Sequence, residues 1–225
     1  MTTNFPSGLD AFTNPSATDA MDSATVPHAS QHADLNDAVE ALQAKVGVDG
    51  SAVTTSLDYK VANQGMTLLS THTIGSGVSS ATLSNVFNAS YETYRVVYEG
   101  GYASNSGGHT LQFRFSSGHT SGYYGGGSVT LWDGTHNVWS LNNSSLFVTN
   151  YLDTTNGRMA VSMDVNQPYD SGKSTTVHGT GVGYLSGATW GWVYAPFESV
   201  TDLYLFPSTG TITGGKVKVY GYNNG

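Results

Sequence analysis

The sequence predicts a mainly β protein in three parts: an extended N-terminal arm over residues 1–33, a short helix and connector over 34–65, and a C-terminal antiparallel β-sandwich or jelly-roll head over 66–225. Two patterns and the composition predict this class. From Met66 onward apolar residues alternate with polar ones, as they do in strands. Before Met66 they recur at the spacing of a helix, most clearly in one stretch. The 28 Gly residues and the low share of charged residues, 11%, are typical of strands joined by tight turns.

The net charge separates the head from the residues before it. Residues 1–64 carry seven Asp and one Glu against two Lys, a charge of −6, while residues 65–225 carry the remaining −2 of the total −8. An acidic chain argues against nucleic acid as a partner. The absence of cysteine excludes disulfides and thiolate metal sites. No run approaches the roughly 20 apolar residues of a membrane span, so we expect no membrane insertion.

In the arm, apolar residues recur neither at the spacing of a strand nor at that of a helix. The arm contains three prolines, which fix φ and remove backbone donors. It is therefore predicted to be extended or turn-rich. Two interpretations compete: a tail without structure of its own, or a segment that orders only on a partner. The second is favoured because the arm begins with apolar side chains that could fill pockets on another protein. These candidate anchors are Phe5, Pro6, Leu9 and Phe12.

One helix is predicted between Asp34, its candidate N-cap, and Gly47, its candidate C′ stop. Its apolar residues are spaced four, three and four apart, which is the a/d seam of a coiled coil. They are Leu35, Val39, Leu42 and Val46. So short a helix is marginal alone in water, so it either docks on its own domain or meets copies of itself. Self-association is favoured because no other helical segment is long enough to complete a bundle. The seam alone does not choose between a dimer and a trimer.

His28 and His32 are four residues apart, a spacing that can bind a metal ion when both lie on one helical face. Here they precede the predicted helix, and no third ligand of the usual pattern follows. On a symmetry axis one His from each chain could suffice, so that alternative stays open. The favoured role is polar packing or capping around the helix start. The sequence thus predicts no metal site and no cofactor.

The connector contains a second, weaker helical pattern. Val53, Leu57 and Val61 recur at spacing four, which predicts a helix over residues 55–63. Thr55 or Ser56 would be its N-cap, and Gly65 lies just past its end.

The head is predicted to contain many short strands with turn signals between them. The alternation is clearest over 158–166, where Met159, Val161, Met163 and Val165 share one face. Tight turns are predicted at Gly-rich dipeptides and tripeptides, including 125–127, 133–134 and 214–215. The predicted strands cover 66–74, 78–87, 93–99, 109–116, 128–132, 136–141, 145–151, 158–166, 174–184, 188–195, 200–206 and 211–222.

Some aromatic residues of the head are not required by the alternation and lie at predicted strand ends or in Gly-rich segments. Such rings stack on sugars or contact proteins, although packing in the core or between subunits is the alternative for each. The segment 121–127 is predicted to be an exposed loop, because glycine frees its backbone and two adjacent Tyr cannot both turn inward in an extended chain. The candidate receptor contacts are Tyr102, Tyr123, Tyr124, Trp132 and Trp139.

No catalytic residues are predicted. Glycosidases need two carboxylates that flank one bond, and the acidic residues of the head fall in no motif that fixes such a pair. The Gly-x-Ser-x-Gly pattern of a nucleophile elbow is absent, and the Gly-x-Gly pairs near 179–183 precede no helix. We therefore expect a binding or structural protein rather than an enzyme.

Five stretches together resemble fibre and spike proteins of tailed bacteriophages. Three lie in the first sixty or so residues: 5–15 (FPSGLDAFTNP), 28–47 (HASQHADLNDAVEALQAKVG) and 48–61 (VDGSAVTTSLDYKV). This run looks like the virion-attaching N-terminus that precedes many different phage heads. Two more, similar to phage β-sandwich tips, are 87–98 (FNASYETYRVVY) and 197–222 (FESVTDLYLFPSTGTITGGKVKVYGY).

The resemblance implies a homotrimer, made in the host cytoplasm, whose N-terminal arms dock on another virion structural protein. It adds the trimer that the seam left open, so the predicted helix becomes a trimerising one. No shaft separates the connector from the head, which implies a short fibre or spike. Three functions are then considered: a fibre whose head contacts a host-surface receptor or glycan, a capsid-attached head fibre or decoration protein, and, least favoured, a glycan-degrading enzyme.

Overall fold

The structure of the chain is a computed structural model that describes residues 18, 20–22, 24, 28–104, 110–143, 146–150, 159–183 and 185–223. The chain divides into two units, one formed by residues 1–64 and the other by residues 65–224. The described residues are mainly β, with antiparallel sheets, as the sequence predicts. The anchoring candidates Phe5, Pro6, Leu9 and Phe12 lie outside the described residues.

The first helix, α1, covers His28–Val46 and is longer than predicted. It begins six residues before Asp34, so the prediction of Asp34 as the N-cap is wrong. Asp34 lies inside the helix and is only 5% exposed. Gly47 ends the helix as predicted: its φ is +87° and its N–H donates to the carbonyl of Gln43 at 2.8 Å. The helix starts early because the residues before Asp34 include good helix formers. The sequence did not predict this start because none of those residues extends the helical spacing of large apolar side chains.

The second helix, α2, covers Leu57–Ala62 and lies within the predicted range. Ser56 caps it, because its side chain accepts a hydrogen bond from the N–H of Tyr59 at 3.2 Å. The hydroxyl of Ser56 also donates to the carbonyl of Val53 at 2.8 Å, which fixes the turn before the helix.

Fourteen strands follow in the described part of the head. In chain order they are β1 (Met66–Thr73), β2 (Ala81–Leu83), β3 (Thr93–Glu99), β4 (Tyr102–Ala103), β5 (Thr110–Arg114), β6 (Tyr123–Leu131), β7 (His136–Asn143), β8 (Leu146–Asn150), β9 (Ala160–Asn166), β10 (Thr175–Gly183), β11 (Ser186–Tyr194), β12 (Leu203–Pro207), β13 (Ile212–Thr213) and β14 (Lys216–Tyr222).

The strands form one large and one small antiparallel sheet and a short ribbon. The large sheet has the order β1-β14-β3-β9-β10-β11-β6-β7, the small one β2-β12-β5-β8, and β4 pairs with β13. Both main sheets contribute to one buried apolar cluster, which includes Phe113 and Leu205 from the small sheet and Val96 and Val177 from the large one. The four residues predicted to share one face over 158–166 all belong to this cluster, three of them from β9 and Met159 from just before it.

The strand predictions fail in four places. β6 begins at Tyr123, so the expected loop over 121–127 and the turn at 125–127 are largely strand. β2 is only three residues long, and the range 211–222 is split in two by Gly214 and Gly215, whose φ values of +72° and +92° make the predicted turn. β4 was not predicted, because a strand of two residues is too short to show an alternation of apolar and polar residues.

Glycines make room for indole rings on the inner face of the large sheet. A Cβ on Gly125 would lie 2.9 Å from the ring of Trp192, and one on Gly127 would lie 2.8 Å from that of Trp139. Across β10, a Cβ on Gly179 would lie 2.8 Å from the ring of Trp190. The Gly-rich run of β6 is therefore a packing surface, which explains why it is a strand and not a loop.

The register gives the large sheet two distinct ends. The chain enters the head at Met66, which pairs with Tyr222 near one edge of the sheet, and we call this end of the strands the entry end. Toward the other edge, the pair Val193 and Tyr124 lies at the same end. The opposite, far end carries the pairs Thr73 with Lys216 and Thr130 with His136. The turns β6–β7 and β10–β11 both lie at the far end.

Adding one methyl group to the inner-face glycines should destabilise the head. For Gly125→Ala we expect the free energy of unfolding to fall by about 1–3 kcal/mol, because the new Cβ would sit 2.2 Å from the carbonyl oxygen of Gly191. The matched control is Gly187→Ala in β11, where a Cβ meets nothing within 4 Å. Urea unfolding followed by tryptophan fluorescence measures both. Equal effects of the two substitutions would contradict the packing role.

Candidate functional site

An apolar seam lies exposed along α1. Leu35, Val39, Leu42 and Val46 are 44–57% exposed in the single chain, which is unusual for four aliphatic residues on one helical stripe. The same heptad positions, counted back by one heptad from Leu35 and Val39, hold His28 and His32. The seam residues are thus placed together on one face.

The aromatic candidates of the head fall into three groups. Tyr123 is fully buried, and its hydroxyl accepts a hydrogen bond from the N–H of Phe115 at 3.0 Å, so its prediction as a receptor contact is wrong. Trp139 is partly buried and packs against Trp192, with ring centroids 5.3 Å apart, so its indole belongs to the core rather than to an open surface. Tyr102, Tyr124 and Trp132 are exposed.

The position of Tyr123 in the inward–outward alternation of β6 explains why it is buried. Along β6 the odd-numbered residues point inward, and the inner-face glycines Gly125 and Gly127 continue that phase toward the buried Val129. Tyr123 therefore falls inside and Tyr124 outside, as adjacent strand residues must. Burial raises the pKa of Tyr123, which leaves its hydroxyl protonated.

The exposed candidates do not form one patch. Trp132 lies in the β6–β7 turn at the far end, and Tyr102 follows β3 at the same end. Four strand spacings, about 19 Å, separate β3 from β6 in the sheet. Tyr124 lies at the entry end, at the other end of β6. Trp132 and Tyr102 can thus share only a large ligand, and Tyr124 is separate from both.

Trp132 is one of four exposed apolar residues that two neighbouring hairpins carry toward the far end of the sheet, and we call these four residues the apolar tip. The N–H of Trp132 donates to the carbonyl of Leu185 at 2.9 Å, which ties the β6–β7 turn to the β10–β11 turn. Trp132 is 76% exposed, Val138 is 78%, Val182 is 50% and Leu185 is 43%. Apolar side chains concentrated on two neighbouring hairpins of one sheet end are typical of a contact surface.

The apolar tip is held in a defined shape. In the β6–β7 turn the N–H of Leu131 donates to the carbonyl of Thr135 at 2.8 Å, and Asp133 accepts from the N–H of Thr135 at 2.9 Å. Leu185 has a φ of +53°, which is uncommon for a bulky residue and typical of sites where surrounding structure imposes strain. Trp132 is therefore presented on a stiff turn, which lowers the entropy lost on binding.

Sequence reasoning missed Val138, Val182 and Leu185. The two valines were read as ordinary strand residues, but their phase would have placed them outside: in β10 the inward residues are Thr175 and Val177, so Val182 faces solvent. No sequence signal marks Leu185, because its exposure follows from the turn geometry.

A row of polar residues crosses the outer face of the large sheet. Arg95 donates to Asp164 through two hydrogen bonds of 2.8 and 2.7 Å, and the hydroxyl of Tyr222 donates to the same carboxylate at 3.0 Å. His178 lies 3.5 Å from the other side of Asp164. Next in register come Gly191 and Gly126, which face each other and leave a strip without side chains. His178 borders this strip of bare backbone.

The charge of Asp164 is stabilised by its neighbours. Partial burial raises the pKa of Asp164, but the hydrogen bonds from Arg95 and Tyr222 outweigh this effect, so its pKa lies below the ordinary value. The hydrogen bond to Asp164 raises the pKa of Arg95. Asp164 and Arg95 therefore form an ion pair at physiological pH.

Two other groupings lie at the entry end. An open cavity of about 210 Å³ there is lined by Ala89, Tyr91, Glu92, Gln167, Tyr169, Asp170 and Lys173. The second grouping is a network in which the hydroxyl of Tyr194 donates to Glu198 and the ring of His119 stacks on that of Tyr194, with ring centroids 5.4 Å apart. Burial and the Glu198 contact raise the pKa of Tyr194, so its hydroxyl stays protonated at neutral pH.

Within the described part of the chain, no three His, Asp or Glu side chains are grouped to hold a metal ion. Neither α1 nor α2 is long and apolar enough to cross a membrane.

Replacing Asp164 should destabilise the head in a pH-dependent way. For Asp164→Asn we expect the free energy of unfolding at pH 7 to fall by about 1–2 kcal/mol, because Arg95 loses its charged partner. The folded pKa of Asp164 lies below its unfolded value of about 3.9, so its contribution is present above that pH and is lost as pH falls through the folded pKa. Urea unfolding of both proteins from pH 7 to pH 2 should therefore show converging stabilities below about pH 4.

The control for this measurement is Glu99→Gln, which removes the exposed partner of Lys218 on the same sheet and should change stability less. A difference between wild type and Asp164→Asn that stays constant down to pH 2 would contradict the assignment to the carboxylate charge.

Comparison with protein families, with curated proteins and with solved structures gave no match, so the function must be argued from the residues and geometry of this chain.

Proposed function

We propose that this protein is a short homotrimeric fibre or spike of a tailed-phage virion, anchored by its N-terminal arm, whose head contacts a host-surface glycan or receptor. The observation that carries the proposal is the exposed seam of α1. A stripe of four half-exposed aliphatic residues at a/d spacing is best explained by copies of the same helix. The resemblance of residues 5–61 to virion-attaching segments supports the phage assignment and the trimer.

The layout of the head supports a binding role at the far end. A fibre held by its N-terminus presents the part of the head that lies farthest from the entry of the chain. In this head the entry is at Met66, and the apolar tip lies at the opposite end of the same sheet. Tryptophan is a residue type that often dominates binding energies at interfaces, and its ring can stack on sugar rings. Trp132 presents such a ring, exposed, on a stiff turn.

The trimer is tested by analytical ultracentrifugation of the full chain. We expect a mass of three times 23.7 kDa for the wild type. Leu42→Asp should dissociate the chains, because three carboxylates would meet in one apolar layer. Gln43→Asp introduces the same side chain at the next, exposed position off the seam and should keep the wild-type mass. A monomeric wild type would overturn the proposal, and a Leu42→Asp protein that stays associated would assign the trimer to the head instead.

The contact surface is tested by binding of fluorescent protein to host cells. Trp132→Ala should reduce binding at least tenfold, because the indole is the largest exposed side chain of the apolar tip. The matched control is Phe197→Ala, which removes a ring that is 70% exposed at the entry end. Unchanged binding by Trp132→Ala, or equal losses in both variants, would contradict the assignment to the far end.

The position on the virion decides between the fibre and the alternative, a capsid-attached head fibre or decoration protein. Gold-labelled antibody against the head, viewed on intact virions by electron microscopy, should mark the tail if the protein is a host-binding fibre. Label over the capsid would favour decoration. Release of reducing sugar from host glycan by purified protein would favour the enzyme instead.

A further inference from the structure

The two histidines of α1 form a close pair in its first two turns. The Nε2 atoms of His28 and His32 are 3.0 Å apart, the ring centroids are 4.4 Å apart, and the rings stand at 83° to each other. Both side chains are exposed. Both residues lie inside α1 and on one of its faces, so they have the helical placement that a metal pair needs. One chain still supplies no third ligand among the described residues, so further ligands must come from other copies.

The spacing of the two nitrogens matches a pair of metal ligands. Imidazole nitrogens bind first-row metals at about 2.0–2.1 Å, so two ligands at right angles in an octahedral site are about 3.0 Å apart. Two ligands of a tetrahedral site are about 3.4 Å apart. The observed 3.0 Å also suits a hydrogen bond between neutral imidazoles, so distance alone does not identify the ligand.

The register of the helix supplies the second observation. Positions 28, 32, 35, 39, 42 and 46 alternate by four and three, so the histidines occupy the a and d layers that precede Leu35 and Val39. In a trimer packed through this seam, each chain would direct two imidazoles toward the axis, giving six. Six imidazoles in two layers without a partner would weaken the seam, because polar groups there lose water.

We propose that the N-terminal end of the α1 trimer binds one divalent first-row transition-metal ion on its axis, through Nε2 of His28 and His32 from each of three chains. The site rests on the homotrimer of the proposed function and is incomplete without the other copies. Six imidazole nitrogens in octahedral geometry suit ions such as Ni²⁺ and Co²⁺. The ion would close the end of the seam where the chain passes from the arm into the coiled coil.

The test uses the full chain without a polyhistidine tag, stripped with EDTA and dialysed. Calorimetric titration with Ni²⁺ should give one ion per three chains, and Co²⁺ should give the weak visible absorption of a six-coordinate ion. His28→Gln and His32→Gln should each weaken Ni²⁺ binding at least tenfold. The matched control, His136→Gln, removes an exposed imidazole of the head and should leave binding unchanged.

Sedimentation in EDTA separates failure of this site from failure of the trimer. A trimeric chain that takes up no Ni²⁺, or takes up one ion per chain, overturns the axial site and leaves the proposed function standing. Binding that survives both histidine substitutions overturns it as well. A monomeric chain overturns the trimer and the site together.

Discussion

Close packing of indole rings against glycine backbone is the constraint on which the large sheet depends. Trp139, Trp190 and Trp192 come from two strands and fill the inner face opposite Gly127, Gly179 and Gly125. Any side chain at these glycines would push neighbouring strands or rings apart, since a Cβ would come within 2.4 Å of a carbonyl oxygen at each of the three. The register of β6, β10 and β11 follows from this fit, and with it the placement of the turns that carry the exposed residues. The apolar tip is thus positioned by contacts on the opposite face of the sheet.

The fold class and much of the order of helices and strands could be predicted from the sequence, because the spacing of apolar residues and the residue types of tight turns are local features of the chain. The buried face of β9, the cap at Ser56 and the helix end at Gly47 each depend on residues close in the chain. The strand at Tyr123 could not be predicted in this way. A Gly-rich run is typical of a loop unless the indoles that fill its empty space are known, and two of these, Trp190 and Trp192, lie more than sixty residues later in the sequence.

The candidate site was predictable only in part for the same reason. Exposure of Trp132 follows from the Asp-Gly turn beside it, which sequence reveals. Its neighbours Val182 and Leu185 belong to another hairpin and are joined to it by a backbone hydrogen bond. The predicted start of α1 is too late because the apolar spacing begins at Leu35, directly after the capping residue type Asp34, and the histidines that continue the heptad toward the N-terminus are polar.

The two ends of the head lie side by side. The N–H of Asn223 donates to the carbonyl of Gly65 at 3.0 Å, and β1 and β14 run antiparallel from that point. A unit that begins and ends at one place can be cut out and joined elsewhere without stretching either junction. The fold therefore makes the head a transferable cassette: it could be grafted into a surface loop of another protein, or exchanged for a different head behind the same helix, through a single pair of junctions.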